Sequence, residues 1–443
     1  MENKFEDTSY NSHKNKPVHR QFWIIFGIYA LICLYFALYR QVPFISDSQI
    51  YYDWAKQAYK NGLLFPYHDA IYSPWLAAFV HVNLGVLALH IYDSPTSIYL
   101  LSVLLNLTQL FLVYRLTTHL FDVKSGIIAA LMYVFYLNSL GFVVFNLTEL
   151  TFTVFMLASL WFYFKNPTFF NGLLSGLMTG LALGARPLIF ALVLVYALIW
   201  AWNWFKKQPL HGQFVGILIG LLTYIAVMGS YSKQQTSHFL YSTTTGPLNL
   251  LMSSFDGATG VYNDSIIKTD SIYLSKKTFD EKGAYLQERS IKYLKTHPWK
   301  WFSILPRKIT ATFTTDDVTV SYLLNHNHWN LNRFVTEFKA HKTNFEKEPT
   351  IFRWSFLSLQ VYHHLFYYTF LLLWIYQVYY YWQRRSTTHL AVWVINAFTI
   401  LGFAMTFIST QGNNRYKYPY LIATMIIVAP IVKRIIFRYS PSK

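Results

Sequence analysis

Residues 21–39 read QFWIIFGIYALICLYFALY, and residues 44–51 follow as FISDSQIY. The first run is apolar throughout and long enough to cross a hydrocarbon core about 30 Å thick. The second opens a polar loop, with Asp47 a few residues beyond the end of the apolar run. A carboxylate just outside a membrane can take a proton from a hydroxyl at the depth where lipid head groups lie. An acid at the mouth of a span therefore points to an enzyme acting on a membrane-borne substrate.

Similar runs recur along the chain. Of its 443 residues 54% are hydrophobic and only 13% charged, where soluble domains carry about a quarter charged. The spanning candidates are 21–39, 97–119, 127–145, 147–164, 172–185, 188–205, 212–231, 356–382, 389–410 and 418–437. The fifth and sixth are separated by Arg186-Pro187, and proline breaks a helix interior. The run 75–91 is ambiguous, and the distribution of basic residues decides it. If it does not cross, then Lys4, Lys14, Lys16 and Arg20 fall on one side with Arg115, Lys124, Lys165, Lys206, Lys207, Arg384, Arg385, Lys433, Arg434 and Arg438. If it crosses, every later cluster disagrees with the N-terminus.

The expectation is an all-α polytopic membrane protein of about ten transmembrane helices, in the cell membrane with both termini cytoplasmic. Its parts are a tail at 1–20, a transmembrane catalytic module at 21–231 with an outer loop at 40–96, an extracytoplasmic domain at 232–355 between helices seven and eight, and C-terminal helices with a tail at 356–443. The first apolar run lacks a small-x-small cleavage site after it and reads as a retained anchor. Within the first outer loop, 48–61 mixes Tyr, Trp and Lys as interfacial helices do. In the second, 284–313 reads as helical and basic, lying along the outer surface. The net charge of +17 is absorbed by topology, with no need for nucleic acid. Cys33 is the single cysteine, so no intrachain disulfide forms, and it reads as apolar filler. Gly172, Gly176, Gly180 and Gly184 form a stripe for close helix approach, which fixes where Arg186 points.

Under this topology Asp47, Glu149, Arg186 and Arg415 all stand at the outer interface, where the active site would face. Charges at membrane segments are costly and are functional candidates by default. The scarcity of charges deep in the helices argues against an ion-coupled transporter. The four suit one reaction. A sugar on a polyprenyl phosphate departs with its phosphate as an anion, so the leaving group needs cations rather than a proton donor. Arg415 and Arg186 supply them, with Lys417 as an accessory. Asp47 serves as general base on an acceptor hydroxyl. A single displacement inverts the anomeric centre; retention would need a second carboxylate as nucleophile. The plainer readings are a solvated loop acid at Asp47, a helix-dipole partner at Glu149 and a snorkelling anchor at Arg186. Asp316-Asp317 and the pair His326 and His328 read as solvated loop rather than metal ligands. His363-His364 reads as polar residues near a helix start.

The motifs and their order resemble the GT-C superfamily of membrane glycosyltransferases, in the bacterial branch similar to protein O-mannosyltransferases and lipid A aminoarabinose transferases. The elements that carry the resemblance are Asp47, Tyr51 and Ala55 after the first helix, then Tyr72-Ser73-Pro74, Thr148-Glu149, Arg186-Pro187, and Arg415-Tyr416 with Pro419. Residues 246–249, 258–262 and His297-Pro298 of the outer segment are similar too. The chain departs from the family in having Ser48 where a second acid is usual, and Leu150 where proline is usual. The resemblance implies a catalytic role for Asp47 and a lipid-phosphate sugar donor. Glu149, Tyr51 and Tyr72 are expected on the acceptor side or as supports, Glu149 contacting the acceptor or holding Asp47's loop. Without a paired acid beside Asp47 no cofactor is expected, a divalent metal being the open alternative. The expected function is transfer of a sugar from a polyprenyl-phosphate donor to an extracytoplasmic glycan, lipid or protein. The alternatives are a polysaccharide polymerase or ligase acting on polyprenyl-linked glycans, and a membrane transporter.

Overall fold

The computed structural model describes residues 19–208, 212–263, 265–317, 319–324, 331–339, 345–384 and 390–438. The tail through residue 18, and His326 with His328, lie outside the described residues. The described residues are helical apart from connecting loops and one isolated bridge between Val261 and Gly412. All ten expected spans fold as helices. Among the described residues, six helices are long and apolar enough to cross a membrane: Arg20–Tyr39, Pro95–Leu120, Pro187–Phe205, Gln213–Thr236, Leu390–Ser409 and Asn414–Phe437. The chain is a multi-pass membrane protein. Ten crossings remain an expectation, because the other four segments each depart from a regular span. The pair Val123–Phe135 and Leu137–Val144 is bent by 54° at Tyr136. Thr148–Lys165 carries a charge at each end, Phe169–Ala185 is short, and Thr350–Gln383 is long but rich in Tyr, His and Gln.

The first helix shows the division expected of a segment facing lipid on one side. Ile24, Ile28, Leu31 and Leu38 point outward, while Phe22, Tyr29, Cys33 and Ala37 are buried. A continuous outward apolar face of this kind is costly against water and is at ease against hydrocarbon. Phe22 stacks on Tyr114 at a 4.0 Å centroid distance. Deeper in the bundle, Gln109 ties three elements together. Its Oε1 accepts from Tyr133 Oη at 3.1 Å and from Tyr418 Oη at 2.9 Å, and its Nε2 donates to the Leu150 carbonyl at 2.9 Å. Those bonds fix the starts of the Thr148–Lys165 and Tyr418–Arg438 helices relative to each other.

The glycine stripe packs as its spacing predicts. A Cβ on Gly172 or Gly176 would collide with the backbone of Gln213 or Ile217. Gly180 and Gly184 likewise face Tyr224. Phe169–Ala185 therefore lies tightly against Gln213–Thr236, and Arg186 caps its end.

The run 75–91 resolves into extended chain and a helix of 13 residues, Phe79–Ile91. At 1.5 Å per residue this helix is about 20 Å long, short of a crossing. The extended part is stitched to the outer segment: Thr244 N donates to Leu76 O, and Leu76 N to Thr244 Oγ1, both at 2.8 Å. The expected surface helix is Asp47–Lys60, and its aromatic face is not laid bare. Tyr51, Tyr52 and Trp54 are buried, against Phe79–Ile91 and its neighbours. The expected helix 284–313 is three helices, Phe279–Thr296, Pro298–Ser303 and Leu305–Phe313. Pro298 and Pro306 divide it, each at a first turn where proline's missing N–H is tolerated.

Candidate active site

Asp47 is the first residue of its helix, and the turn before it sets its direction. Ser46 has φ of 52°, a left-handed backbone uncommon for a non-glycine residue. Ser48 Oγ donates to the Ile45 carbonyl at 2.7 Å and accepts from the Ile45 amide at 3.0 Å. The serine that replaces a second acid thus closes the turn that presents Asp47. Glu149 stands in the first turn of Thr148–Lys165, Arg186 just past the end of Phe169–Ala185, and Arg415 on the 3₁₀ turn Asn414–Lys417.

These four side chains, up to 368 positions apart, meet at one end of the bundle. Arg415 Nη2 lies 2.6 Å from Asp47 Oδ2. Arg186 Nη2 donates to Glu149 Oε1 at 2.6 Å, and Arg186 Nε to Thr148 Oγ1 at 2.8 Å. Arg415 Nε is 3.6 Å from the same Glu149 Oε1, within ion-pair range. The order is therefore Asp47, Arg415, Glu149, Arg186, two anions alternating with two cations. Exposure separates their roles. The side chains of Asp47 and Arg415 are 23% and 20% exposed, Arg186 is 13%, and Glu149 is 0%.

Asp47, Arg186 and Arg415 line a cavity of about 780 Å³, within the range of small-molecule sites. Its other polar lining is neutral, including Thr243, Thr245, Asn249, Gln411 and Asn413, and its aromatic walls include Trp75, Tyr51, Tyr262 and Tyr416. Residues 243–252 belong to the outer segment, so the cavity lies between that segment and the membrane helices. Burial and the neighbouring Asp47 push the Tyr51 hydroxyl well above its ordinary value, so it stays a protonated donor. Tyr416 packs under both arginines, with ring centroids 5.2 Å from Arg186 and 5.6 Å from Arg415.

Several residues stand apart from their expected places. Glu149 is buried beneath the arginines and does not line the cavity. Tyr72 is 58% exposed and does not border the cavity; Trp75, three residues on, does. Lys417 is fully buried and turned away, because residues two apart on a 3₁₀ turn point to different sides. Its Nζ donates to the carbonyls of Thr312 and Thr315 and pairs with Asp316. Asp316 and Asp317 are buried rather than solvated. Burial alone would raise the Asp316 carboxyl, but Lys417 and His363 outweigh it and hold it below its ordinary range. His363 lies well inside Thr350–Gln383, facing Asp316, because that helix begins six residues earlier than its apolar run. Sequence reasoning missed the cavity-lining Thr243, Thr245, Asn249, Gln411 and Asn413. Asn249 falls within the stretch 246–249 already noted for its resemblance, though not as a site residue; the others had no signal beyond polar, small-residue stretches beside the membrane runs.

Residues 72–228 match the family model described as dolichyl-phosphate-mannose-protein mannosyltransferase. That stretch includes Glu149 and Arg186 but neither Asp47 nor Arg415. A comparison with curated protein sequences gives no match. Among solved structures, the chain is similar to the oligosaccharyltransferase AglB from Archaeoglobus fulgidus, in complex with an inhibitory peptide and a dolichol-phosphate. The identity is 13%, the TM-score is 0.46, and the match covers 96% of this chain and 52% of that one. The apo form of the Archaeoglobus fulgidus oligosaccharyltransferase gives 14% identity and a TM-score of 0.48, over 94% of this chain and 50% of that one. ArnT from Cupriavidus metallidurans, bound to undecaprenyl phosphate, gives 14% and 0.43, over 95% and 80%. The chain thus spans about half the length of the oligosaccharyltransferases it matches. The resemblance drawn from the motifs is borne out: over residues 72–228 the chain is similar to dolichyl-phosphate-mannose-protein mannosyltransferases, a GT-C glycosyltransferase family.

Proposed function

We propose that the protein is a GT-C-type glycosyltransferase that moves a sugar from a polyprenyl-phosphate donor to an extracytoplasmic glycan, lipid or protein acceptor. The observation that carries this reading is the Asp47–Arg415 pair at 2.6 Å, on the same cavity as Arg186. A base and two phosphate-matching cations are what the reaction requires. The donor's phosphate sits against Arg415 and Arg186, whose planar forks suit its oxygens. The acceptor hydroxyl approaches the anomeric carbon from the face opposite the phosphate and gives its proton to Asp47. The bond between the anomeric carbon and the phosphate oxygen breaks, its electrons staying on the phosphate. One displacement inverts the anomeric centre.

Glu149 takes a different role from the one its motif implied. Buried and in contact with both guanidiniums, it neutralises part of their charge and sets their spacing. Tyr51 stays on the cavity wall as a donor to sugar or phosphate oxygens. With the basic clusters inside, the cavity opens on the exoplasmic side and both termini are cytoplasmic.

The test is incubation of the purified chain with polyprenyl-phosphate sugars and candidate acceptors, followed by mass analysis of the products. The expected result is a glycosylated acceptor and free polyprenyl phosphate. Movement of intact lipid or solute across vesicles without glycosidic cleavage would establish a transporter instead.

A further inference from the structure

Arg415 reaches the cavity from a turn of four residues, and that turn is gripped from behind. Lys417 Nζ donates to Thr312 O at 2.7 Å and to Thr315 O, and lies 3.1 Å from Asp316 Oδ1. Asn414 Nδ2 donates to Thr315 Oγ1 at 3.2 Å. Asp316 is itself fixed on two sides. His363 Nε2 is 2.6 Å from its carbonyl and 3.2 Å from its carboxylate, and Asn138 Nδ2 donates to the same carbonyl at 2.5 Å. The chain leading into the turn is held as well: Gly412 N donates to Gly260 O at 2.7 Å, and Lys308 Nζ to Phe407 O at 2.8 Å. One buried polar network thus joins the Leu137–Val144 and Thr350–Gln383 helices, the end of the outer segment, and the turn that carries Arg415.

We infer that Lys417 and Asp316 are positioning residues, whose pairing across the back of the Asn414–Lys417 turn keeps Arg415 directed into the cavity. Burying an ammonium and a carboxylate is costly, and a pair of apolar side chains would fill the space at less cost. What the charged pair adds is direction. Three oxygens around one Nζ define a single placement of the turn, which apolar packing would not. This role rests on the proposed function, since it matters only if Arg415 holds the donor's phosphate.

The experiment uses the full chain in nanodiscs: wild type, Lys417→Met, Arg415→Ala, and a double variant, Lys417→Met with Asp316→Asn, which leaves no unpaired buried charge. Hydrogen–deuterium exchange reads the backbone of residues 410–418, and polyprenyl phosphate binding is measured on the same samples. The expected result is faster exchange at 410–418 with the Pro95–Leu120 helix unchanged, and lipid-phosphate binding weakened toward that of Arg415→Ala. Turnover falls on the order of 100-fold, as for other small displacements of a reacting geometry, and the donor's KM rises. Wild-type exchange at 410–418 in the double variant would overturn the inference, as would faster exchange with undiminished binding. If the wild type fails to bind polyprenyl phosphate, the proposed function falls. The exchange result still decides whether the pair positions the turn.

Discussion

Asp47 and Arg415 pair at 2.6 Å, and the proposed reaction calls on each of them elsewhere. A guanidinium that bonds a carboxylate through one edge can turn that edge to a phosphate, since both ligands offer paired oxygens to the same fork. Under the proposed function, the donor's phosphate would compete with Asp47 for Arg415, and its arrival would release the base. Glu149 tunes this exchange from below. Replacing it with glutamine keeps a bond to Arg186 but leaves two cations facing one anion. Glu149→Gln is expected to bind polyprenyl phosphate more tightly, by about tenfold, and to turn over more slowly because the product phosphate leaves later. Binding isotherms alongside steady-state turnover check this. Weaker binding by the variant would show that Glu149 does not act through the arginines.

The four charges were legible in the sequence because each interrupts or borders an apolar run, where a charge is expensive and rarely incidental. Lys417 was misread for a local reason. It shares a motif with Arg415, but the face a residue takes on a short turn depends on backbone geometry that spacing does not disclose. Asp316 was misread for a distant one. Its burial comes from Asn138, His363 and Lys417, none of which is its neighbour in sequence. The same distance effect hid the cavity wall at Thr243, Thr245, Gln411 and Asn413.

Among the elements, Phe169–Ala185 and Leu305–Phe313 carry separate predictions. The first delivers Arg186 through its glycine face. Gly176→Leu would force its backbone away from Ile217 and carry Arg186 out of register with Glu149. Overpacking of this kind costs about 1–3 kcal/mol, so the expected outcome is a lowered unfolding temperature with loss of transfer. Full activity in Gly176→Leu would mean that helix placement does not set Arg186. The second element buries Lys308, whose ammonium bonds the Phe407 carbonyl and lies 5.5 Å from the Trp301 ring centroid. Burial pushes its pKa from 10.5 to about 8. Between about 8 and 10.5 the unfolded chain keeps this proton and the folded chain has lost it. Stability from this group therefore rises with pH across that window. Thermal unfolding followed over that range should show the rise in the wild type and a smaller one in Lys308→Met. Equal slopes would place the titration elsewhere.

The bend at Tyr136 shows where an element was not legible. No proline or glycine stands at the break, and the run 127–145 is apolar apart from Asn138 and Ser139 just after it. The break follows from packing: Asn138, just past it, is claimed by Asp316 and Thr319 of the outer segment. The shortness of Phe79–Ile91, by contrast, agrees with what the basic clusters required.

At the scale of the whole molecule, residues 243–252 and the membrane helices share one cavity, and we propose from the distribution of basic residues that it faces the exoplasmic side. Cys33 is the only cysteine and is buried, so single cysteines placed elsewhere report cleanly. A cysteine at Asn249, on the cavity wall, is expected to react with a membrane-impermeant maleimide on intact cells. One at Lys206 should react only after permeabilisation. The reverse pattern would turn the molecule over in the bilayer and move the acceptor to the cytoplasm.

The central claim is that Asp47 takes the acceptor's proton while Arg415 and Arg186 hold the departing phosphate. Sugar transfer by Asp47→Asn, measured with polyprenyl phosphate binding on the same preparation, tests it most directly. The account predicts transfer reduced by at least about 100-fold and lipid-phosphate binding retained or strengthened, since Arg415 no longer has a competing carboxylate. Transfer at the wild-type rate, or loss of lipid-phosphate binding together with transfer in a folded protein, would contradict it.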